Sequence, residues 1–313
     1  MTDRPVVAPP RGSQWHEALF YTGDDDYLEH TVPFVEAGLA AGEPVLIAVP
    51  APGLHLLRRF DGVEGVRLVD MVEAGRNPAR IIPGVLHAFT ASHPGRPVRV
   101  VGEPIWPGRA AADYPRCVQH EALVNLAFAD QPVRILCPYD AARLDLDVLA
   151  DAASTHPVLT RGGDRRASLG YAHPERIVDA FNRPLPEPGT PATVLVFEAA
   201  GLSGVRGLVV ALATEAGLRP GRVTDLRIAV NELATNAVAN APGPAVLRVW
   251  TEPDGLLCEI TGSSVLTDRL AGRIPPPHTT ERGRGLLLVN LLCDLVHVHT
   301  TDDSTTVRLL MDR

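Results

Sequence analysis

Residues 226–241 read LRIAVNELATNAVANA, and the organisation of the C-terminal half follows from this stretch. Ala229, Leu233 and Ala237 recur at helical spacing and form an apolar stripe. Glu232 and Asn236 stand at i and i+4, so both leave the same side of the helix, and Asn240 lies one turn further on. A carboxylate base and an amide oxygen on one face suit a metal–nucleotide site, because Mg²⁺ takes few protein oxygens and completes its shell with phosphates. An exposed helical edge would show the same residues.

Downstream, Arg282-Gly283-Arg284-Gly285-Leu286 opens another helical pattern, GRGLLLVNLLCDL. Glycines let a backbone come close to a ligand, and a helix N-terminus offers free N–H groups to an anion. Arg273, Arg282 and Arg284 are the local cations. Around these motifs lie a strand at 194–198, helices at 202–215 and 222–239, strands at 245–252 and 256–260, and a closing hairpin at 296–301 and 305–311. This order predicts an α+β two-layer sandwich with its helices on one sheet face.

The N-terminal half reads differently. Apolar runs at 16–21, 44–49, 66–70, 97–102 and 133–138 alternate with amphipathic stretches such as 27–41 and 114–128. That alternation predicts βαβ crossovers and a mainly parallel sheet buried on both faces. Between the halves, 157–191 is punctuated by RGGDRR and RPLPEPGTP and reads as a linker with one short helix at 174–181.

Ligands of parallel sheets bind beyond the carboxyl ends of the strands. Tyr21, Glu103, Trp106 and Tyr139 fall there, and with His120 they are the candidates for contacting a small molecule. Asp24, Asp25 and Asp26 occupy the loop where phosphate would sit and would repel it. His120-Glu121 suggests an HExxH zinc motif, but the fifth position is Val124. His16, Glu103, His120, Glu121 and Cys137 could still converge on a metal. Packed or capped side chains are the plainer reading of lone histidines and a buried cysteine.

All 29 basic residues are Arg, which removes lysine-dependent phosphate loops, eukaryotic-type kinase chemistry and Schiff-base catalysis. The net charge of −8 argues against general nucleic-acid binding. No apolar run approaches a membrane span, and the first residues lack a secretory h-region. Four cysteines without a CxxC pair suit a reducing cytoplasm.

NELATNAV, GRGLLLVNLLCDLV and TTVRL together resemble the N box, last glycine box and closing strand of GHKL (Bergerat-fold) ATPases, nearest to anti-sigma-factor serine kinases. The resemblance covers about residues 191–313. It implies Glu232 as general base towards a partner's serine and Asn236 as a ligand of Mg²⁺ on bound ATP. It also implies Gly283 and Gly285 in the lid over the phosphates, with Arg282, Arg284 and Asn240 nearby and Thr305 assisting at adenine. One position departs from the pattern: the family's adenine-reading Asp falls at Gly262. Losing a buried charged acceptor costs on the order of 1.5–3 kcal/mol, roughly ten- to hundredfold in affinity.

FYTGDDDYLEHTVPFVEAGLAAGEPVLIAVP and HEALVNLAFADQPVRILCPYD resemble the MEDS sensory domain, a RecA-like α/β unit without a phosphate loop. The resemblances imply a sensory domain at 15–159, a linker at 160–190 and a GHKL domain at 191–313. They imply a cytoplasmic signalling regulator whose partners are a sigma factor and a STAS-type anti-sigma antagonist that it phosphorylates on serine. A small molecule is the expected ligand of the N-terminal domain, and a homodimer is compatible with the sequence. The alternative is a non-catalytic module that regulates by protein contact because Gly262 has replaced the adenine-reading Asp.

Overall fold

The computed structural model describes residues 15–239, 243–276 and 283–313. The chain divides into two compact units, Val85–Phe181 with the residues up to Gly75, and Asn182–Arg313 with Arg76–Gly84. Each is described on its own.

The first unit is built on seven strands: β1 (Trp15–Tyr21), β2 (Val45–Val49), β3 (Val66–Asp70), β4 (Val98–Gly102), β5 (Val133–Asp140), β6 (Val158–Arg161) and β7 (Asp164–Ala167). Their order across the sheet is β3-β2-β4-β5-β1-β6-β7. All neighbouring pairs are parallel except β6–β7. Parallel neighbours need crossovers, and helices supply several of them. They include α1 (Gly23–Ala40), α2 (Tyr114–Ala127) and α3 (Leu146–Thr155). Every residue of β2 and β4 is buried, as their near-continuous apolar sequences require.

The expected linker is folded over much of its length. Gly162 and Gly163, with φ of 53° and 79°, form a tight turn between β6 and β7. Both central residues at positive φ is the geometry that suits a two-residue hairpin, so this Gly-Gly pair closes a hairpin and is no flexible joint. Thr160 Oγ1 and Arg165 Nε both donate to the Glu17 carboxylate, fixing the hairpin to β1. The short helix α4 (Pro174–Ala180) forms as expected and packs on α2, where Gln119 Nε2 donates to the Val178 carbonyl at 2.8 Å.

The second unit has five strands in the order β11-β12-β10-β9-β8. They are β8 (Thr193–Phe197), β9 (Ala245–Glu252), β10 (Gly255–Gly262), β11 (Leu295–Thr300) and β12 (Thr305–Asp312), all antiparallel. Helices α5 (Leu202–Glu215), α6 (Pro220–Ala239) and α7 (Gly285–Leu292) supply the helical layer. Val205, Val209, Leu226, Leu233, Leu247, Ile260, Val289 and Leu309 share one buried core between helices and sheet. The two-layer sandwich expected from the sequence is therefore the observed architecture.

Residues 182–190 lie along this unit and are not a free tether. Asn182 exchanges hydrogen bonds with the Thr300 backbone, Glu187 pairs with Arg248, and Thr190 Oγ1 donates to the Thr251 carbonyl. Pro184, Pro186 and Pro188 lack N–H donors, so this strap reaches β11 and β9 without becoming a sheet strand.

Glu259, at mid-β10, is 4% exposed and accepts from Arg248 on β9 and Arg308 on β12. These arginines are its direct cross-strand neighbours. Removing the carboxylate would leave two guanidinium groups facing each other, so Glu259→Ala should destabilise the second unit by about 3 kcal/mol. Glu187→Ala removes the exposed end of the same cluster and should leave the urea midpoint nearly unchanged. A chemical-denaturation comparison of the two variants checks this.

Candidate functional site

The strongest candidate site lies in the second unit. Leu226, Ala229, Leu233 and Ala237 bury one side of α6, which brings Asn236, exposed, to the rim of a cavity of about 420 Å³, with Glu232, half-buried, beside its lining residue Gly285. Apolar side chains dominate its walls, among them Leu233, Ile260, Leu266, Leu286 and Val307. Asn236, Gly262, Gly283, Gly285 and Thr305 all line it, although they are spread over some seventy positions. The structure thus brings together most of the motif residues singled out in the sequence.

Gly285 begins α7 directly beside the polar pair. A Cβ at this position would lie 2.9 Å from Glu232 Oε2 and 3.0 Å from Asn236 Nδ2. The absent side chain leaves room where the first-turn N–H groups of α7, Glu232 and Asn236 meet. Gly283 has φ of 91°, a left-handed conformation that favours glycine. Thr305 Oγ1 accepts from the Leu266 N–H at 2.9 Å, pinning the loop after β10 to β12. Arg284 is exposed at the residue preceding α7, and Arg273 donates to a main-chain carbonyl at 2.9 Å. Asn240 and Arg282 lie outside the described residues.

Gly262 ends β10 opposite Thr305, buried under α6. A Cβ here would stand 2.9 Å from Ala237 Cβ and 3.1 Å from the Ala237 carbonyl oxygen. The position lacks a carboxylate and also lacks the space for one. Glu259 does not replace it, because both its oxygens are held by Arg248 and Arg308.

The fit to a magnesium nucleotide is therefore uneven along the cavity. Glu232, Asn236 and the glycine-lined entry to α7 suit a metal-bound phosphate chain. Among the described residues, the inner wall offers a base an apolar slot with no buried charged acceptor.

In the first unit, the strand ends gather Tyr21, Glu103 and Asp140. Glu103 is 4% exposed, and burial, with the nearby Asp140 charge, pushes its carboxyl up to about 8. Burial likewise raises Tyr21, with Glu103 and Asp140 adding to the effect. Trp106 is half-buried, lies against the Arg109 guanidinium at 4.4 Å, and lines a separate cavity of about 380 Å³. His120 is buried within α2. Tyr139, 1% exposed, donates to Glu121 Oε1 at 2.9 Å, so it supports that carboxylate inside the domain. The five small-molecule candidates are thus spread over strand ends, a surface cavity and the interior. Asp24, Asp25 and Asp26 form the first turn of α1, where acidic groups complement the helix dipole, and Asp26 accepts from the Thr22 N–H.

Of the five residues considered for metal binding, His16, Glu121 and Cys137 converge, while Glu103 and His120 are not part of the group. The fourth member is His156, which the sequence reading did not include. It follows α3 directly, 35 positions after Glu121, and no spacing motif marks it.

With this geometry in view, the family matches are informative. Residues 15–157 match the MEDS family, described as the methanogen/methylotroph, DcmR sensory domain. Residues 195–311 match the histidine kinase-like ATPase domain family. The chain is a fusion of a MEDS sensory domain with a GHKL-type ATPase domain. No curated protein matches it. This architecture is that of a signalling regulator, and its ATPase-like domain implies nucleotide binding. Among the described residues, no helix is long and apolar enough to cross a membrane.

Two predictions follow from the packing and the electrostatics. Placing a carboxylate at this position by Gly262→Asp should lower the melting temperature, because overpacking against Ala237 costs roughly 1–3 kcal/mol. Adding Ala237→Gly should recover part of that loss, as thermal unfolding of the single and double variants would show. Glu103 binds its proton more tightly folded than unfolded, so its contribution is complete below pH 4.5 and is lost as pH rises towards about 8. Glu103→Gln should therefore flatten the decline of melting temperature across that window.

Proposed function

We propose that the chain is a signalling regulator whose C-terminal domain transfers the γ-phosphoryl group of Mg-ATP to a serine of an anti-sigma antagonist. The observation that carries this reading is the convergence of Glu232 and Asn236 on the space left open by Gly285. Glu232 would accept the proton of the partner's serine hydroxyl. The Asn236 side-chain oxygen would ligate Mg²⁺, and the free N–H groups at the start of α7 would meet phosphate oxygens. Bound Mg-ATP supplies the transferable phosphoryl group, with ADP as the leaving product. Phosphorylation would release the antagonist and free this protein to hold a sigma factor, under the influence of a small molecule sensed by the N-terminal domain.

A specific observation favours a second reading. Gly262 offers no acceptor for the adenine amino group, and Ala237 occupies the space that an acceptor would need. On this reading the domain is a non-catalytic module and regulates by protein contact alone.

Calorimetry with Mg-ATP separates the two. The kinase reading expects saturable heat from the wild type that Asn236→Ala weakens at least tenfold. Glu232→Gln should keep nucleotide binding while lowering phosphoryl transfer to the antagonist by about 10²–10⁴-fold. Absence of heat from the wild type would sink the kinase reading and favour the contact-only module.

A further inference from the structure

The MEDS domain contains a polar centre that the nucleotide chemistry does not use. His16 on β1, Glu121 on α2, Cys137 on β5 and His156 after α3 are all between 0% and 3% exposed. One donor atom from each lies within 4.8 Å of all the others. Burial lowers both imidazoles and raises the carboxyl and the thiol, so the centre is costly to charge without a partner.

We propose that these four side chains form a binding site for a divalent transition-metal ion, with zinc the best fit to the donor set. Four of the six edges match a coordination tetrahedron to within about 0.3 Å, and the two from His156 to His16 and to Cys137 are no longer than 4.8 Å. Zinc bonds of about 2.0 Å to nitrogen or oxygen and 2.3 Å to sulfur give edges of about 3.3 Å, or about 3.5 Å where sulfur is involved. Here His16 Nε2 lies 3.1 Å from Glu121 Oε2 and 3.4 Å from Cys137 Sγ. Glu121 Oε2 lies 3.8 Å from Cys137 Sγ and 3.6 Å from His156 Nε2.

Hydrogen bonds outside the centre set both imidazoles to present a bare nitrogen to it. Asn125 Nδ2 donates to the Thr155 carbonyl at 2.8 Å, which leaves Asn125 Oδ1 to accept from His16 Nδ1 at 3.2 Å. His156 Nδ1 donates to the Ala152 carbonyl at 2.8 Å. Each Nε2 lone pair therefore faces inward, the arrangement that outer hydrogen bonds impose on metal-bound histidines. His156 Nε2 is buried and has no hydrogen-bond partner. Tyr139 holds the other carboxylate oxygen, leaving Oε2 for the centre.

Charge and ligand type agree with the geometry. A thiolate and a carboxylate carry two negative charges, which a dication neutralises. Two imidazoles and a sulfur select zinc-like ions over Mg²⁺ or Ca²⁺, which prefer all-oxygen shells. Four protein ligands leave no open position, so the ion would tie β1, β5, α2 and α3 together without acting as a catalyst. A cavity of about 400 Å³ lined by His16, Asn125, Tyr171 and His173 borders the centre at His16.

The test uses the full chain. Metal analysis of purified protein, and of chelator-stripped protein reloaded with Zn²⁺ or Co²⁺, should give one ion per chain. The Co²⁺ form should show intense visible d–d bands of tetrahedral type and a thiolate-to-cobalt charge-transfer band. Cys137→Ser should abolish the charge-transfer band, while Cys117→Ser, at another buried thiol of the same domain, should keep it. Tyr139→Phe should weaken metal affinity about 10–100-fold with the fold retained by circular dichroism. Substoichiometric uptake by the wild type, a weak octahedral spectrum, or a band that survives Cys137→Ser would each overturn the assignment.

Discussion

The approach of Ala237 to Gly262 governs the C-terminal domain. Helix α6 comes so close to the end of β10 that a methyl group on Gly262 would stand 2.9 Å from Ala237 Cβ. The same contact seats the apolar stripe of α6 in the core, with Asn236 at the cavity rim and Glu232 beside Gly285. It also shapes the apolar slot, because the space an adenine-reading side chain would fill belongs to the helix. The polar pair at one end and the bare backbone of Gly262 at the other thus share a single helix–strand contact.

Two buried polar clusters, one in each domain, are satisfied in opposite ways. The sheet of the ATPase domain buries Glu259 and answers it at once with two cross-strand arginines, a closed ion cluster. The MEDS domain buries two imidazoles, a carboxyl and a thiol that face one another, and their outer hydrogen bonds leave acceptors pointing inward. The first arrangement is complete with protein atoms alone. The second is completed by a cation.

Much of the architecture was legible in the chain. Alternating apolar runs and amphipathic stretches announced the parallel sheet, and strand–helix–helix–hairpin order announced the sandwich, because burial imposes its period directly on residue order. Apart from the short helix expected at 174–181, residues 157–191 were not legible as folded structure. Gly162-Gly163 reads as flexible punctuation until the partner strand β1 is known, and then both positive φ values make it a hairpin turn. The proline run reads as a spacer, yet its side-chain hydrogen bonds hold it to β9 and β11.

By itself the sequence determined the domain classes, the pairing of Glu232 with Asn236 on one helix face, the glycine entry to α7 and the glycine at position 262. These are local facts, set by helical periodicity and residue identity. Only the tertiary structure decided that Gly262 has no room for a side chain, that Glu259 is committed to two arginines, and that His156 completes a centre with His16, Glu121 and Cys137. Those residues are separated by up to 140 positions, and crossovers in a parallel sheet bring distant segments side by side without leaving any spacing rule in the chain.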